Sequence, residues 1–231
     1  MRIQFHSHSC FSFFTADDTH IIIDPYLSGN PLADVAAKEL DVDVVLLTHG
    51  HDDHMGDCRY FGKEGALIIS AAEIIHYLSL KGFANLHAMQ IGGGYQFDFG
   101  YVKMVPATHG SAIYENGTIL GAGCPGGFIL KLDGLTIYHA GDTGLSSEME
   151  ILGKQYDIDL ALLPIGGNFT MDIPDALMAV DILKPKMVIP MHYNTFPVIK
   201  QDPTVFAQGC AQRGIDCRIL NPGESLDLIN H

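Results

Sequence analysis

The sequence predicts an α/β protein (α+β in the grouping of its strands) built from a sheet-and-helix half-unit used twice. Three observations predict it. Short apolar runs bounded by Gly, Pro and Asp read as strands. Capped helical segments alternate with strands in the second half. Two segments also echo each other over a hundred residues apart: Asp41–Leu47 (DVDVVLL) resembles Asp157–Leu163 (DIDLALL), and Ile21–Pro25 resembles Thr136–Tyr138 followed by Gly141–Thr143. That offset is too wide for a solenoid repeat. It suggests strands facing strands, with helices outside.

Each element follows from local chemistry. Ile21–Ile23 is a strand stopped at Asp24-Pro25, because proline leaves the ladder and opens a turn. Val42–Leu47 is too short for a helix and reads as a buried strand. Ser70 is placed as the cap of a helix from Ala71 to Leu80, with Glu73 three residues on and Gly82 beyond its end. Tyr95–Pro106 reads as two strands around Gly100, and Phe128–Leu132 and Leu135–Tyr138 flank the hairpin turn Asp133-Gly134. Leu160–Leu163 and Lys186–Pro190 are further strands, separated by a capped helix over Asp172–Lys184. Asp202-Pro203 opens a last helix ending near Gly214, and strands at Ile215–Leu220 and Ser225–Ile229 close the chain.

Composition narrows the function. The 231 residues are 47% apolar, which is ample for a packed core and favours one domain over residues 1–231. Thirteen Lys and Arg stand against 27 Asp and Glu, a net charge of −14, so no nucleic-acid partner is expected. Five scattered cysteines without a Cys-x-x-Cys pair form neither a disulfide framework nor a zinc ribbon and suit a cytoplasmic location. No signal-peptide core and no apolar run of about 20 residues is visible, so no membrane partner is expected. Twelve histidines are the unusual item.

Four of the potential metal ligands fall within six residues. Thr48-His49-Gly50-His51-Asp52-Asp53-His54 directly follows the buried strand at Val42–Leu47. Imidazole nitrogens and carboxylate oxygens suit zinc-like divalent ions. On an extended segment His49 and His51 share a face, with Gly50 easing the turn between them, while Asp53 and His54 project elsewhere. That arrangement suits two neighbouring ions better than one. His109, Asp142 and His192 each sit just past a predicted strand, where sites in layered α/β folds gather. Their shared context makes them further candidate ligands.

The pattern His-x-His-x-Asp-His, followed by a distant His, an Asp and a last His, resembles the metallo-β-lactamase superfamily, in its hydrolytic branch. An acidic residue in place of His51 would instead suggest the di-iron redox branch. His6-Ser7-His8-Ser9-Cys10, Ile23-Asp24-Pro25, Gly166–Met171 and His192–Pro197 resemble a smaller group of metal-dependent hydrolases related to the ascorbate-6-phosphate lactonase type. The resemblance implies a four-layer αββα sandwich of two similar halves. It implies that His49, His51 and His109 hold one metal, that Asp53, His54 and His192 hold a second, and that Asp142 bridges them. It further implies a hydroxide generated between two divalent ions, with Asp53 the catalytic proton acceptor. Zinc is the expected metal; manganese, iron and nickel suit the same donors.

The weaker features have plainer readings. His6 and His8 read as neighbours on one strand face beside Cys10, with packing preferred over a further metal site. Asp24 either hydrogen-bonds a ligand histidine or simply makes its turn. His139 is expected to be buried and hydrogen-bonded. Asn168, Thr170 and Asn194 stand on loops; Asn168 and Asn194 are the candidate substrate-binding residues, with loop capping the competing role. Phe196 is a candidate exposed contact for a homo-oligomer. The expected function is a dinuclear metal hydrolase acting on a small-molecule ester or lactone. A phosphodiesterase or nuclease of the same fold, or a non-catalytic metal-binding sensor or scaffold, is the alternative.

Overall fold

The structure, a computed structural model, describes residues 1–228. Two seven-stranded sheets carry the chain. The first contains β1 (Arg2–Phe5), β2 (Phe11–Phe14), β3 (His20–Ile23), β4 (Val44–Leu46), β5 (Leu67–Ala71) and β6 (Leu86–Met89). The second contains β7 (Gly94–Phe97), β8 (Gly100–Pro106), β11 (Gly126–Leu132), β12 (Leu135–His139), β13 (Leu160–Pro164), β14 (Met187–Met191) and β15 (Asp216–Cys217). A separate hairpin, β9 (Ala112–Glu115) and β10 (Thr118–Gly121), is inserted between β8 and β11 of the second sheet, and β16 (Ser225–Asp227) returns to pair with β1 in the first. The helices are α1 (Asp52–Met55), α2 (Cys58–Lys63) and α3 (Ala72–Leu80) in the first half, and α4 (Glu148–Gln155), α5 (Ile173–Leu183) and α6 (Pro203–Gln212) in the second.

Side-chain alternation sets the layers. Ile21, Ile23, Val44 and Leu46 join a core shared with Val102, Met104, Phe128 and Leu130 of the second sheet. Their neighbours Ile22, Val45 and Leu47 point the other way and pack with Phe61, Ile74 and Leu78 of α2 and α3. A strand buried on both faces needs the continuous apolar run that β3 and β4 show. Ala176, Val180 and Phe206 bring α5 and α6 onto the second sheet. The result is the expected αββα sandwich.

The internal echo is structural. β3 and β4 pair in parallel with Ile21 opposite Val44, and β12 and β13 pair in parallel with Ile137 opposite Leu160. Asp43 accepts the His20 N–H at 2.8 Å on its carboxylate, and Asp159 accepts the Thr136 N–H at 2.7 Å in the same way. The repeated aspartates therefore register equivalent strand pairs in each half.

Several elements depart from the sequence reading. Ser70 does not cap a helix; it lies in β5 and donates its hydroxyl to the Leu47 carbonyl. The helix begins at Ala72 because the apolar run Leu67–Ala71 completes a buried parallel strand first. The strand expected over Ile215–Leu220 shrinks to Asp216–Cys217, the stretch that pairs with β14. β1, β2, β5, β6, the β9–β10 hairpin, α1, α2 and α4 are additional elements. The caps at Asp172 and Asp202 form as expected, each accepting a backbone N–H in the first turn. Ile229, the last residue of the final predicted strand, lies outside the described residues. All five cysteines are free, and no described helix is long and apolar enough to cross a membrane.

Because β3 faces a core on both sides, Ile22→Ala and Ile23→Ala are each expected to cost about 2–5 kcal/mol. Urea denaturation checks this; a large loss at only one of the two positions would contradict the double-faced burial.

Candidate metal centre

The strand directions place the candidate ligands along one edge. β1 and β3 run in the same sense, both antiparallel to β2, and β8 and β12 do so around β11. The segments after β3, β4, β8, β12 and β14, and the turn after β1, carry Asp24, His49–His54, His109, Asp142, His192 and His8 respectively. Ligand sites outside the carboxyl ends of strands are the rule for such sheets. Backbone bonds stitch the sheets together there: Gly126 N–H donates to the Thr48 carbonyl at 3.0 Å, and His192 N–H to the His8 carbonyl at 2.8 Å.

All seven residues predicted as ligands come together. Donor atoms of His49, His51 and His109 lie within 4.8 Å of one another, and so do those of His8, Asp53, His54 and His192; His49, His54 and Asp142 form a third such group. Asp142 lies between the sets. Its Oδ1 is 3.2 Å from His54 Nε2, and its Oδ2 is 3.0 Å from His192 Nε2 and 3.4 Å from His109 Nε2. The separation predicted from the motif has a backbone cause. The chain is extended at His51 and turns helical at Asp52, so Asp53 and His54 leave in a new direction.

The donor set fits metal ions. Two donors bound opposite each other at about 2.0–2.2 Å stand about 4.4 Å apart, within the observed spread. More telling, His8 Nε2, His54 Nε2, Asp142 Oδ1 and His192 Nε2 are buried without any hydrogen-bond partner. Orphaned buried polar atoms are costly and rare. Here they approach one another closely without hydrogen-bond alignment, as atoms aimed at a shared point do.

Asp24 explains how two of these rings are oriented. It is fully buried. Its Oδ2 accepts from His54 Nδ1 at 2.8 Å and from the Thr48 hydroxyl at 2.7 Å, and that hydroxyl in turn lies 3.0 Å from His49 Nδ1. With the Thr48 proton committed to Asp24, its oxygen accepts the His49 Nδ1 proton. His49 Nε2 then carries a lone pair, 2.9 Å from His51 Nδ1, and Nε2 is the His54 nitrogen that faces Asp142. Of the two readings offered for Asp24, the hydrogen-bonding one therefore holds. His139, buried as expected, accepts from Gly141 N–H and donates to the Ser9 carbonyl, tying the Asp142 loop to the His8 turn.

Electrostatics match this arrangement. Burial lowers the affinity of His49, His51 and His109 for a proton, and nearby His54 adds to the effect at His49 and His51. His8 is pushed down to about 4 by burial and by His192. Burial disfavours charge on Asp142, but His192 and His54 overcome it and hold the carboxyl well below its usual range. Burial is likewise outweighed at Asp53, by contact with His8 and the charge of His54. Burial also opposes protonation of His54, yet Asp142 and Asp24 raise it strongly. Neutral imidazoles beside ionised carboxylates are what metal binding requires, and the His54 proton holds the place of a cation between two aspartates.

A cleft of about 410 Å³ opens over the cluster. Its floor includes His51, Asp53, His109, Asp142 and His192, and Tyr26, Tyr114, Phe169 and Phe196 form its sides. Tyr114 comes from the β9–β10 hairpin and stacks near His51, with ring centroids 6.1 Å apart. Gly50 makes that approach possible. Its backbone is not left-handed; a Cβ there would sit 2.5 Å from Ala122 Cβ and 3.0 Å from the Ala112 carbonyl. The tight-turn role expected for Gly50 is thus replaced by close packing under the hairpin.

Three further expectations are corrected. Asn168 and Asn194 do not line the cleft. Asn168 is exposed in a left-handed turn, and Asn194 accepts the Gln201 N–H at 2.9 Å, capping its own loop. Their neighbours Phe169 and Phe196 reach the cleft instead, so Phe196 is a half-buried wall and not a free surface contact. His6 and His8 do not share a strand face. They lie in the β1–β2 turn, with Ser7 and His8 at positive φ, and His6 bonds to Asp34 and Ser12 while His8 turns toward Asp53. A second His-x-His pattern at a strand end was the available signal for His8.

This fold and edge define an αββα sandwich built to carry metal ligands at the seam of its sheets. The chain belongs to the β-lactamase superfamily: a model of that superfamily domain matches residues 2–192. A protein named UPF0173 metal-dependent hydrolase from Anoxybacillus flavithermus is 50% identical over 99% of this chain and 100% of its own. The similarly named YtkL of Bacillus subtilis is 48% identical over the same shares. Igni18, a metallo hydrolase from the archaeon Ignicoccus hospitalis, superposes with a TM-score of 0.87 at 39% identity over 97% of each chain. The isothiocyanate hydrolase from Delia radicum gut bacteria superposes at 0.78 over 98% of this chain and 99% of its own; at 20% identity it shows the fold alone.

Asp24→Ala is expected to weaken metal binding by about 10–100-fold, since Asp24 orients His54 directly and His49 through Thr48. Competition against a chelator measures this; unchanged affinity would contradict the orienting role.

Proposed function

We propose that the protein is a metal-dependent hydrolase that holds two divalent ions and acts on a small-molecule ester or lactone. The observation that carries this reading is the convergence of buried, unpartnered imidazole and carboxylate atoms beneath an open cleft. The names borne by relatives about half identical to this chain support the hydrolase class.

In this reading His49, His51 and His109 hold one ion, Asp53, His54 and His192 hold the other, and Asp142 serves both. Bound divalent ions supply Lewis acidity and acidify a water molecule to near-neutral pKa. Asp53, an acidic residue of the cleft floor with solvent access and beside the ligand histidines, accepts a proton at a carboxylate oxygen. Asp24 keeps its neighbours in the tautomer that leaves Nε2 free. The aromatic side walls pack against the substrate and exclude bulk water from the reacting carbonyl. No Lys or Arg is among the cleft-lining residues, which favours an uncharged carboxylic ester or lactone over a phosphodiester. The net charge of −14 argues in the same direction against a nucleic-acid substrate.

Three measurements test this. Protein purified without chelators should carry about two metals per chain by elemental mass spectrometry. EDTA should abolish hydrolysis and lower Tm, because a ligand bound only to the folded state stabilises it. On parallel lactone, ester and phosphodiester panels, Asp53→Ala should lose at least about 100-fold in kcat. No bound metal after supply of zinc or manganese would sink the proposal, and preferential phosphodiester turnover would replace the substrate class. Tyr114→Ala should raise KM about fivefold with kcat nearly kept, matching the loss of about 1 kcal/mol of aromatic contact.

A further inference from the structure

One buried imidazole outside the ligand set implied by the family resemblance faces the same space. We infer that His8 is a fifth protein ligand of the second ion, beside Asp53, His54, His192 and the shared Asp142, so that the two ions are held by unequal donor sets. The inference rests on the two-metal reading above.

Four observations converge on it. His8 Nε2 is buried and unpartnered, 3.3 Å from Asp53 Oδ2. Its donor atom falls in one group with those of Asp53, His54 and His192. Its other nitrogen is occupied: Nδ1 lies 3.0 Å from the Thr195 hydroxyl, whose own proton has the Tyr193 carbonyl at 3.5 Å to receive it. Thr195 then accepts the Nδ1 proton and leaves a lone pair on Nε2, as the outer partners of metal-bound histidines do. The backbone is also committed. His8 sits at φ 58, a region non-glycine residues seldom occupy, and its carbonyl accepts the His192 N–H at 2.8 Å. That bond packs its ring against His192, with centroids 4.0 Å apart. Strain of this kind persists where surrounding structure over-determines it, often at functional sites.

The consequence is metal selectivity. His49, His51, His109 and Asp142 offer four donors, the number that satisfies zinc. His8, Asp53, His54, His192 and Asp142 offer five, two of them carboxylates. That set favours an ion that accepts five or six ligands, such as manganese, iron or nickel.

Metal-free protein reconstituted with zinc alone, manganese alone and both tests this, with retained metal counted after gel filtration. Wild type, His8→Ala, Thr195→Val and His51→Ala are compared, with circular dichroism confirming folding. Wild type should retain two ions. His8→Ala should lose the second ion, weakened at least about 100-fold, and keep the first. Thr195→Val should weaken the second by about 10–100-fold, and His51→Ala should weaken the first. With both metals supplied, manganese should be the ion that His8→Ala releases. If His8→Ala retains both ions at wild-type affinity, the role of His8 is refuted and the two-metal reading stands. If wild type itself retains none, the two-metal reading fails and takes this inference with it. Should His8→Ala not fold, Thr195→Val decides: unchanged affinity for the second ion overturns the proposal.

Discussion

A carboxylate buried among imidazoles governs this molecule. Asp142 is almost wholly enclosed, and a buried charge costs several kcal/mol unless it is paired. The protein answers with His54, His109 and His192 within 3.4 Å of its oxygens. Those three residues come from segments at the strand ends of both sheets: His54 from α1 after β4, His109 and His192 from the loops after β8 and β14. Satisfying one charge therefore requires the two halves of the sandwich to meet in a single register. The backbone bonds from Gly126 to Thr48 and from His192 to His8, with His139 reaching Ser9, hold the seam in that register.

Around that seam the two halves do different work with related parts. Asp43 and Asp159 play the same structural role in each half, tying equivalent parallel strand pairs. Asp24 and Asp142, which follow the equivalent strands β3 and β12, have diverged. Asp24 accepts from Thr48 and His54 and fixes ring tautomers, while Asp142 keeps a bare oxygen toward the cluster. One ancestral-looking unit thus provides an orienting carboxylate in one half and a candidate bridging carboxylate in the other.

The cleft adds an aromatic surround that the cluster lacks. Its sides are aromatic, and its floor holds the titratable groups. Tyr114 reaches it only because Gly50 lets the β9–β10 hairpin settle against the metal loop. A separate two-stranded element, not the sandwich itself, thus shapes part of the cleft.

The sequence alone determined the elements whose chemistry is local. The apolar runs of β3, β4 and β13 announce strands, the Asp172 and Asp202 caps announce helices, and the six residues from His49 to His54 announce a candidate metal loop. Burial, capping and ligand type are properties of adjacent residues, so they are legible without a fold. Tertiary structure decided what depends on distance. Ser70 became a strand residue because its hydroxyl found the Leu47 carbonyl. Phe169 and Phe196, not Asn168 and Asn194, reached the cleft because loop conformation chose which neighbour points inward. His8 came to face His192, 184 positions further along the chain, because the β1–β2 turn takes a left-handed backbone, and a left-handed residue gives no periodic signal in sequence.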